Sequence, residues 1–219
     1  MIKLENVEVS GWKAAIRGMR NPMNSWEKSD SYENYTVDYE KDEITDEVTE
    51  IRNQYYRVGA GDIALMKKLT KAGTDHRKFL RMLPVTVDIT APLYWIAELD
   101  TYKIATVRNS CSFMHKGLAK EFELSDFDTK SNLGKQALIQ VIYTLNELRQ
   151  EYLKTKDDKI FEQIRCLLPS GYLQRFTWFA NYEVLLNIYY ARKNHRLSEW
   201  HDFCDWIKGL PFMDNLIGE

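Results

Sequence analysis

A run of helical periodicity over residues 130–155 constrains the fold of this chain most. Apolar side chains recur there at steps of about three to four residues, the spacing that places them on one face of a helix: Leu133, Ala137, Val141, Leu145, Leu148 and Tyr152. A helix with one apolar face has to bury that face against another layer of secondary structure. Shorter helices are predicted over residues 12–20, 62–72, 92–103, 159–168, 177–193 and 198–208.

Two segments carry the pattern of β-strands instead. Val85, Val87 and Ile89 alternate with polar residues in the segment from Pro84 to Thr90, which predicts a strand with one buried face. Residues 1–9 mix apolar and charged side chains and are predicted to form an edge strand. Because we find no internal repeat and no Pro- or Gly-rich linker, we expect one α+β domain over residues 1–219.

Composition excludes several classes of protein. The chain has 219 residues and a formal net charge of −2, which argues against a broadly basic nucleic-acid binder. No run approaches the roughly 20 apolar residues that cross a bilayer, and the first residues contain no apolar signal core. Three cysteines without framework spacing suit a reducing compartment. We therefore expect a cytoplasmic protein that binds neither nucleic acid nor membrane.

Residues 27–50 are rich in acidic and hydroxyl side chains and show no sustained period. This composition predicts a solvated insertion or loop; a lid that closes over a ligand is the alternative. Just beyond it, Asp62 precedes an apolar helical pattern and is predicted to be the N-cap of the helix over 62–72.

Common catalytic motifs are absent from the sequence. It has no P-loop, no dinucleotide-type glycine fingerprint and no nucleophile elbow. His201 and Cys204 lie three residues apart, with His195 nearby, but paired ligands at zinc spacing are missing. We therefore expect no metal site and assign these side chains to core or interface positions.

Four polar residues in the last third of the chain have the chemistry of a ligand site. Arg165 lies just before a Leu-Leu-Pro segment, and Asn181, Asn187 and Arg192 follow in a predicted helix. Steps of six and five residues rotate by about 600° and 500°, so these side chains can meet only at a helix end or a subunit junction. Guanidinium groups suit phosphates, and amides suit the imide edge of a pyrimidine or flavin. A helical arginine is more often a solvated or salt-bridged residue.

Residues 60–208 resemble the flavin-dependent thymidylate synthases. The resemblance rests on three blocks in the same order: His76 and the strand entering Ala91-Pro92, then Pro92 to His115, then Arg165 to Trp200. In the third block, both arginines and both asparagines of the family's pattern are retained. The resemblance implies a central, mainly antiparallel sheet packed by long helices. It also implies a homotetramer with active sites between subunits.

The resemblance further implies a reaction and its ligands. It implies methylation of dUMP to dTMP, with methylenetetrahydrofolate and NADPH as co-substrates and FAD as cofactor. Arg192 is then the catalytic residue, and the substrate-binding residues are Arg165, Arg192, Glu98 and Cys111. The residues that bind FAD are Asn181, Asn187, His76, Lys78 and Lys103.

The second block departs from the family's signature. Thr101-Tyr102-Lys103 stands where the family has Arg-His-Arg, Cys111 replaces a serine, and Glu98 replaces a glutamine. Losing a bidentate arginine contact to a charged group costs roughly 1.5–3 kcal/mol. Cys111 is predicted to be a polar pocket substitution, because the flavin-dependent family needs no enzyme nucleophile; a covalent catalyst is the alternative.

Two further departures change the charge near the implied ligands. Glu183 takes the place of an arginine in the third block, and Glu183 facing a Lys or Arg would be a charge swap. Lys78, Arg81 and Arg108 add positive charge elsewhere.

The alternative function is that of a divergent homologue that binds flavin or nucleotide without synthase activity. A third possible function is a purely structural one, in which the chain only forms a tetramer.

Overall fold

The computed structural model describes residues 2–42, 44, 46–113 and 117–218. His115, which closes the second block of the resemblance, lies outside the described residues. The strands are β1 (Lys3–Val9), β2 (Tyr32–Lys41), β3 (Val48–Arg57), β4 (Pro84–Pro92), β5 (Val107–Ser110) and β6 (Leu173–Asn181). The helices are α1 (Trp12–Arg20), α2 (Ala60–Lys71), α3 (Leu93–Leu99), α4 (Asn132–Thr155), α5 (Asp158–Leu167), α6 (Tyr182–Arg192), α7 (Ser198–Gly209) and α8 (Met213–Ile217).

Contacts divide the described residues into two compact units. The first unit contains residues 2–8, 86–180 and 192–203, and the second contains residues 9–85, 181–191 and 204–218. The organisation of residues 1–219 as one domain stays a prediction.

Most of the four-stranded sheet belongs to the first unit, and its strand order is β1, β4, β6, β5. β1 therefore lies at an edge, as its sequence predicts. β5 and β6 are antiparallel, with Val107 opposite Phe179 and Ser110 opposite Phe176. The predicted class, α+β with antiparallel strands and long helices, is confirmed.

The long helix predicted over residues 130–155 is also confirmed, as α4. Ser131 begins it by accepting a hydrogen bond from the Gly134 amide, and Lys156 ends it in a left-handed conformation. Leu138 and Leu145 point into an apolar cluster, whereas Leu133 in the first turn is 77% exposed. That cluster joins α4 and α5 to aromatic loop residues: Phe113, Leu118, Phe122, Phe127, Leu138, Leu145 and Ile164.

The loop predicted over residues 27–50 is wrong. β2 and β3 form a two-stranded antiparallel hairpin, paired from Tyr32 opposite Arg57 to Lys41 opposite Val48. Most side chains on both strands are exposed. Tyr35, Val37 and Tyr39 of β2 alternate with polar residues, a strand period that the prediction overlooked, whereas β3 shows no such alternation.

The helix predicted over residues 177–193 is wrong in its first part. Residues 173–181 form β6, in which Phe176, Trp178 and Ala180 are buried at alternate positions. The helix α6 begins only after Asn181, whose side-chain oxygen accepts a hydrogen bond from the Val184 amide. The segment Phe176-Thr-Trp-Phe-Ala180 is short and mostly apolar, so its composition fits a helix as well as a strand. Pairing with β5 selects the strand.

The N-cap predicted at Asp62 is also wrong. α2 begins after Gly59, and Asp30, a residue distant in sequence, accepts hydrogen bonds from the Gly61 and Asp62 amides at 2.7 and 3.0 Å. Asp62 is instead fully buried within the first turn, where Arg20 binds it. An aspartate can cap a helix from any part of the chain that reaches its end, so local spacing misassigned the cap.

Candidate functional site

In the first unit, the structure places Arg192 in a compact polar cluster. Its Nη1 lies 3.0 Å from Glu98 Oε2, and its Nε donates to the Tyr102 hydroxyl at 2.9 Å. The guanidinium carbon lies 4.6 Å from the centre of the Trp200 ring and 5.6 Å from that of Tyr102. The structure therefore brings together two of the predicted substrate-binding residues, Glu98 and Arg192.

Glu98 contacts several members of this cluster through a single carboxylate oxygen. Its Oε2 also accepts a hydrogen bond from Trp200 Nε1 at 2.9 Å and lies 3.5 Å from His195 Nε2. The Leu197 amide donates to His195 Nδ1 at 3.2 Å, which leaves the Nε2 edge to carry the imidazole proton that faces Glu98. One carboxylate oxygen thus neutralises the charge of Arg192 and fixes its orientation.

The replaced triplet contributes to this cluster through Tyr102. The Thr101 hydroxyl donates to the Glu98 carbonyl at 2.7 Å and closes the end of α3, whereas Lys103 is exposed. Arg108 is paired with Asp100 at 2.9 Å. Of the three triplet residues, only Lys103 was predicted to contact a ligand, and the contact of Tyr102 with Arg192 was not predicted.

Cys111 and Arg165 flank a different feature of the first unit. Cys111 lines a cavity of about 200 Å³ together with Phe113, Tyr172 and Gln174. The Arg165 guanidinium lies 4.9 Å from the centre of the Phe113 ring, and the Cys111 thiol is exposed. Among the described residues, no hydrogen bond or ion pair joins Arg165 to Arg192.

In the second unit, Arg77 organises the predicted flavin-side residues. Its Nη2 donates to Asn187 Oδ1 at 2.9 Å, and its Nε lies 3.1 Å from Glu183 Oε2. Glu183 is buried, so Arg77 is the counter-ion that makes burial of this carboxylate possible. The charge swap expected for Glu183 is therefore present. Arg77 was missed, and the signal for it was the unexplained Glu183.

The remaining predicted flavin-side residues of this unit also have defined positions. Asn181 is buried and uses its side-chain oxygen to cap α6. His76 and Lys78 are exposed on either side of Arg77, in the turn that leads into a 3-10 helix (Lys78–Met82). The structure thus places Asn187 in contact with Arg77, whereas the side chains of His76 and Lys78 lie on the surface.

A second polar network in the first unit supports the segment that carries Trp200. The neighbouring Glu199 is buried and accepts hydrogen bonds from Lys130 at 2.5 Å and Tyr94 at 2.8 Å. Burial alone would raise the pKa of Glu199, but these hydrogen bonds outweigh it and hold the pKa well below its usual range. The Tyr94 hydroxyl also donates to Asp128 at 2.8 Å, and burial together with the hydrogen bonds to Glu199 and Asp128 raises the pKa of Tyr94. Glu199 is therefore ionised and anchors this end of α7.

Neither of two other kinds of site is present in the part of the chain that the structure describes. No three His, Cys, Asp or Glu side chains in the described ranges are arranged to hold a metal ion. Among the described helices, none is both long enough and apolar enough to span a membrane.

Comparisons with known proteins identify the fold. No protein-family model and no curated protein matches the sequence. The structure, however, is similar over its whole length to thymidylate synthase X from Helicobacter pylori, crystallised with FAD and dUMP, with a TM-score of 0.68 and 14% identity over 100% of both chains. The fold is that of a flavin-dependent thymidylate synthase. A second Helicobacter pylori structure, also complexed with FAD and dUMP, gives a TM-score of 0.67 and 17% identity over 98% of each chain.

Proposed function

We propose that this chain is a flavin-dependent thymidylate synthase-like enzyme of the cytoplasm that acts as a homotetramer. In this proposal it methylates dUMP to dTMP, with methylenetetrahydrofolate as carbon donor, NADPH as reductant and FAD as cofactor. The observation that carries the proposal is the full-length likeness to thymidylate synthases crystallised with FAD and dUMP. The chemistry of two groups of side chains supports it.

The first group is the Arg192 cluster, which suits the substrate. A guanidinium has five N–H donors, and Tyr102 and Glu98 engage Nε and Nη1 of Arg192. Among the described residues, Nη2 makes no hydrogen bond, so it remains to bind a carbonyl or phosphate oxygen of dUMP. Because Trp200 packs on the guanidinium, the donor is held in one orientation before the ligand arrives. Arg165 and Cys111 are proposed as further substrate contacts.

The second group is Arg77 with Asn187, which suits a flavin. Because the Asn187 oxygen accepts from Arg77, its two amide hydrogens are left to donate to a carbonyl oxygen of the flavin ring. The Glu183 charge is neutralised by Arg77 and does not oppose an anionic cofactor. His76, Lys78 and Lys103 are exposed and are proposed to contact FAD, as is Asn181. Bound FAD supplies the hydride chemistry, and these residues bind and orient it.

Tritium release from labelled dUMP, with FAD, NADPH and methylenetetrahydrofolate present, tests this function directly. We expect release above a heat-killed control and a loss of at least about 100-fold in Arg192→Ala, because the donor that fixes the pyrimidine is removed. Arg17→Ala, an arginine outside both groups, is the matched control. No release from a protein that carries FAD would overturn the proposed reaction.

A second candidate function is binding of flavin or nucleotide without synthesis. The observation that favours it is the occupation of Arg192 by Glu98 and Tyr102 of the same chain, in place of the family's Gln and His. An absorbance scan before and after adding FAD and desalting separates the candidates. A flavin spectrum without tritium release supports this second function. A colourless protein whose melting temperature rises with dUMP indicates nucleotide binding alone.

A further inference from the structure

The hairpin formed by β2 and β3 offers an unpaired strand edge. The two strands pair only with each other in the described part of the chain, so the outer edge of β2 has no strand beside it. A long strand edge with unpaired N–H and C=O groups is a template for pairing with another chain. An isolated two-stranded hairpin is also only marginally stable in water, and further strands stabilise it.

The side chains of β2 are unusual for an exposed edge. On one face, Tyr35, Val37 and Tyr39 follow one another at alternate positions and are 56%, 36% and 68% exposed. Glu33 and Lys41 stand at the two ends of the same face. Natural edge strands are protected by proline, bulges or charged side chains, lysine above all. β2 has no proline and a single lysine, and its other charged side chains, Glu33, Asp38 and Glu40, are acidic.

The base of the hairpin is fixed to the second unit, which holds the edge in place. Asp30 caps α2, and the Ser31 hydroxyl contacts both the Gly59 amide at 2.9 Å and Asp62 at 2.6 Å. Because the base of the strand is already ordered, less conformational entropy is lost when a partner strand binds.

We propose that β2 pairs antiparallel with β2 of a second copy of this chain, in a two-fold register centred on Val37. In this register Glu33 of each copy faces Lys41 of the other, and Tyr35 faces Tyr39. Opposite charges and aromatic residues directly across antiparallel strands stabilise the pair. The two copies together form a continuous four-stranded sheet and cover apolar side chains that each copy exposes.

The charged residues of β2 favour this register over its neighbours. On the other face, the centre at Val37 sets Asp38 opposite Thr36 and Glu40 opposite Asn34, so no two acidic side chains meet. A centre at Asp38 would set the two copies of Asp38 opposite each other, and a centre at Thr36 would lose the pairing of Glu33 with Lys41. The outer edge of β3 fits a second copy less well. Its Glu50 and Arg52 already pair within the strand at 2.6 Å, and Ile51 is partly buried.

Charge reversal tests the register in the full-length protein. By sedimentation analysis, we expect Lys41→Glu and Glu33→Lys each to weaken self-association about tenfold or more, and the double variant to restore it. Glu40→Lys, which faces Asn34, is the matched control and is expected to change association less than about twofold. Glu33 also lies 2.7 Å from Lys13, and Lys41 lies 2.7 Å from Asp46 of the same chain. The thermal melt of each variant is therefore recorded in parallel, to separate a loss of these pairs from a loss of association.

A cross-link locates the contact without a change of charge. On mild oxidation, we expect Val37→Cys to give a disulfide between the two introduced thiols, identified from the mass of the linked peptides. Failure of the double variant to restore association would overturn the proposal. So would a disulfide formed by Ile51→Cys and not by Val37→Cys, which would place the contact on β3.

Discussion

The buried ion pair between Arg20 and Asp62 gives the sharpest test of how the second unit is held together. Asp62 is fully buried, and the Arg20 side chain is 7% exposed. Arg20 holds Asp62 Oδ1 through Nη2 at 2.6 Å and Nε at 2.7 Å. The hydroxyls of Ser29 and Ser31 each donate to Oδ2 at 2.6 Å. The substitution Asp62→Ala removes the carboxylate and leaves the Arg20 guanidinium buried without its counter-ion.

The expected loss is large because the guanidinium stays buried without a counter-ion. Breaking one partner of a buried pair costs about 3–5 kcal/mol. The entropy of unfolding is about 2.1 cal/mol/K per residue, or roughly 0.46 kcal/mol/K for a chain of this length. The melting temperature of Asp62→Ala should therefore fall by about 7–11 °C.

Calorimetry or circular dichroism measures this shift, and two controls interpret it. Glu5→Ala breaks an exposed pair with Lys3, 2.8 Å long, and should cost less than about 1 kcal/mol. The double variant Arg20→Met with Asp62→Leu removes both charges and should recover most of the loss, because an apolar pair carries no desolvation penalty. A melting temperature of Asp62→Ala within about 2 °C of that of Glu5→Ala would show that burial does not make this ion pair costly to break.

Three further predictions concern the first unit. Arg192→Lys keeps the charge but loses the planar fork, so the Kd of dUMP measured by calorimetry should rise about ten- to hundredfold. Glu98→Gln removes the negative charge that neutralises Arg192 but keeps an oxygen that can accept from its Nη1, so anionic dUMP should bind about tenfold more tightly; weaker binding would instead make Glu98 a ligand contact. Because the pKa of Glu199 is lowered in the folded chain, its contribution to stability is present above the unfolded pKa of about 4.3 and is lost as pH falls towards the folded value. Melting temperatures measured below pH 4.3 should therefore fall less steeply in Glu199→Gln than in the unchanged protein.

The parts of the fold that the sequence predicts are those with a one-sided core. α4 and β4 each bury one face, so their residues repeat with the period of a helix and of a strand. β2 and β3 bury neither face along most of their length, so the alternation in β2 is carried by exposed side chains. β6 contains a short, mostly apolar segment that fits a helix as well as a strand. Their conformation depends on strand partners that lie elsewhere in the chain.

The site residues, too, were predictable only in part. Arg192 and Asn187 could be found because the resemblance preserves their residue types, but their partners are far away in sequence. Glu98 lies 94 positions from Arg192, and Arg77 lies 110 positions from Asn187. No helical or strand period links residues at such separations, so only the folded chain reveals these pairs.

One substitution nevertheless made a distant partner predictable in kind. A glutamate in the place of an arginine, as at Glu183, reverses a charge at a position that the fold buries. A buried carboxylate needs a counter-ion, so Glu183 required a cation from another part of the chain, and Arg77 supplies it at 3.1 Å. Glu98, which is partly exposed, is likewise paired with a cation, Arg192, at 3.0 Å. Both departures from the resembled pattern therefore affect which polar atoms remain for a ligand. Arg77, the counter-ion of Glu183, also donates to the Asn187 oxygen, which leaves the amide hydrogens of Asn187. Glu98 accepts from Nη1 of Arg192, which leaves Nη2. Under the proposed function, the donors left for dUMP and FAD are the Nη2 group of Arg192 and the amide hydrogens of Asn187.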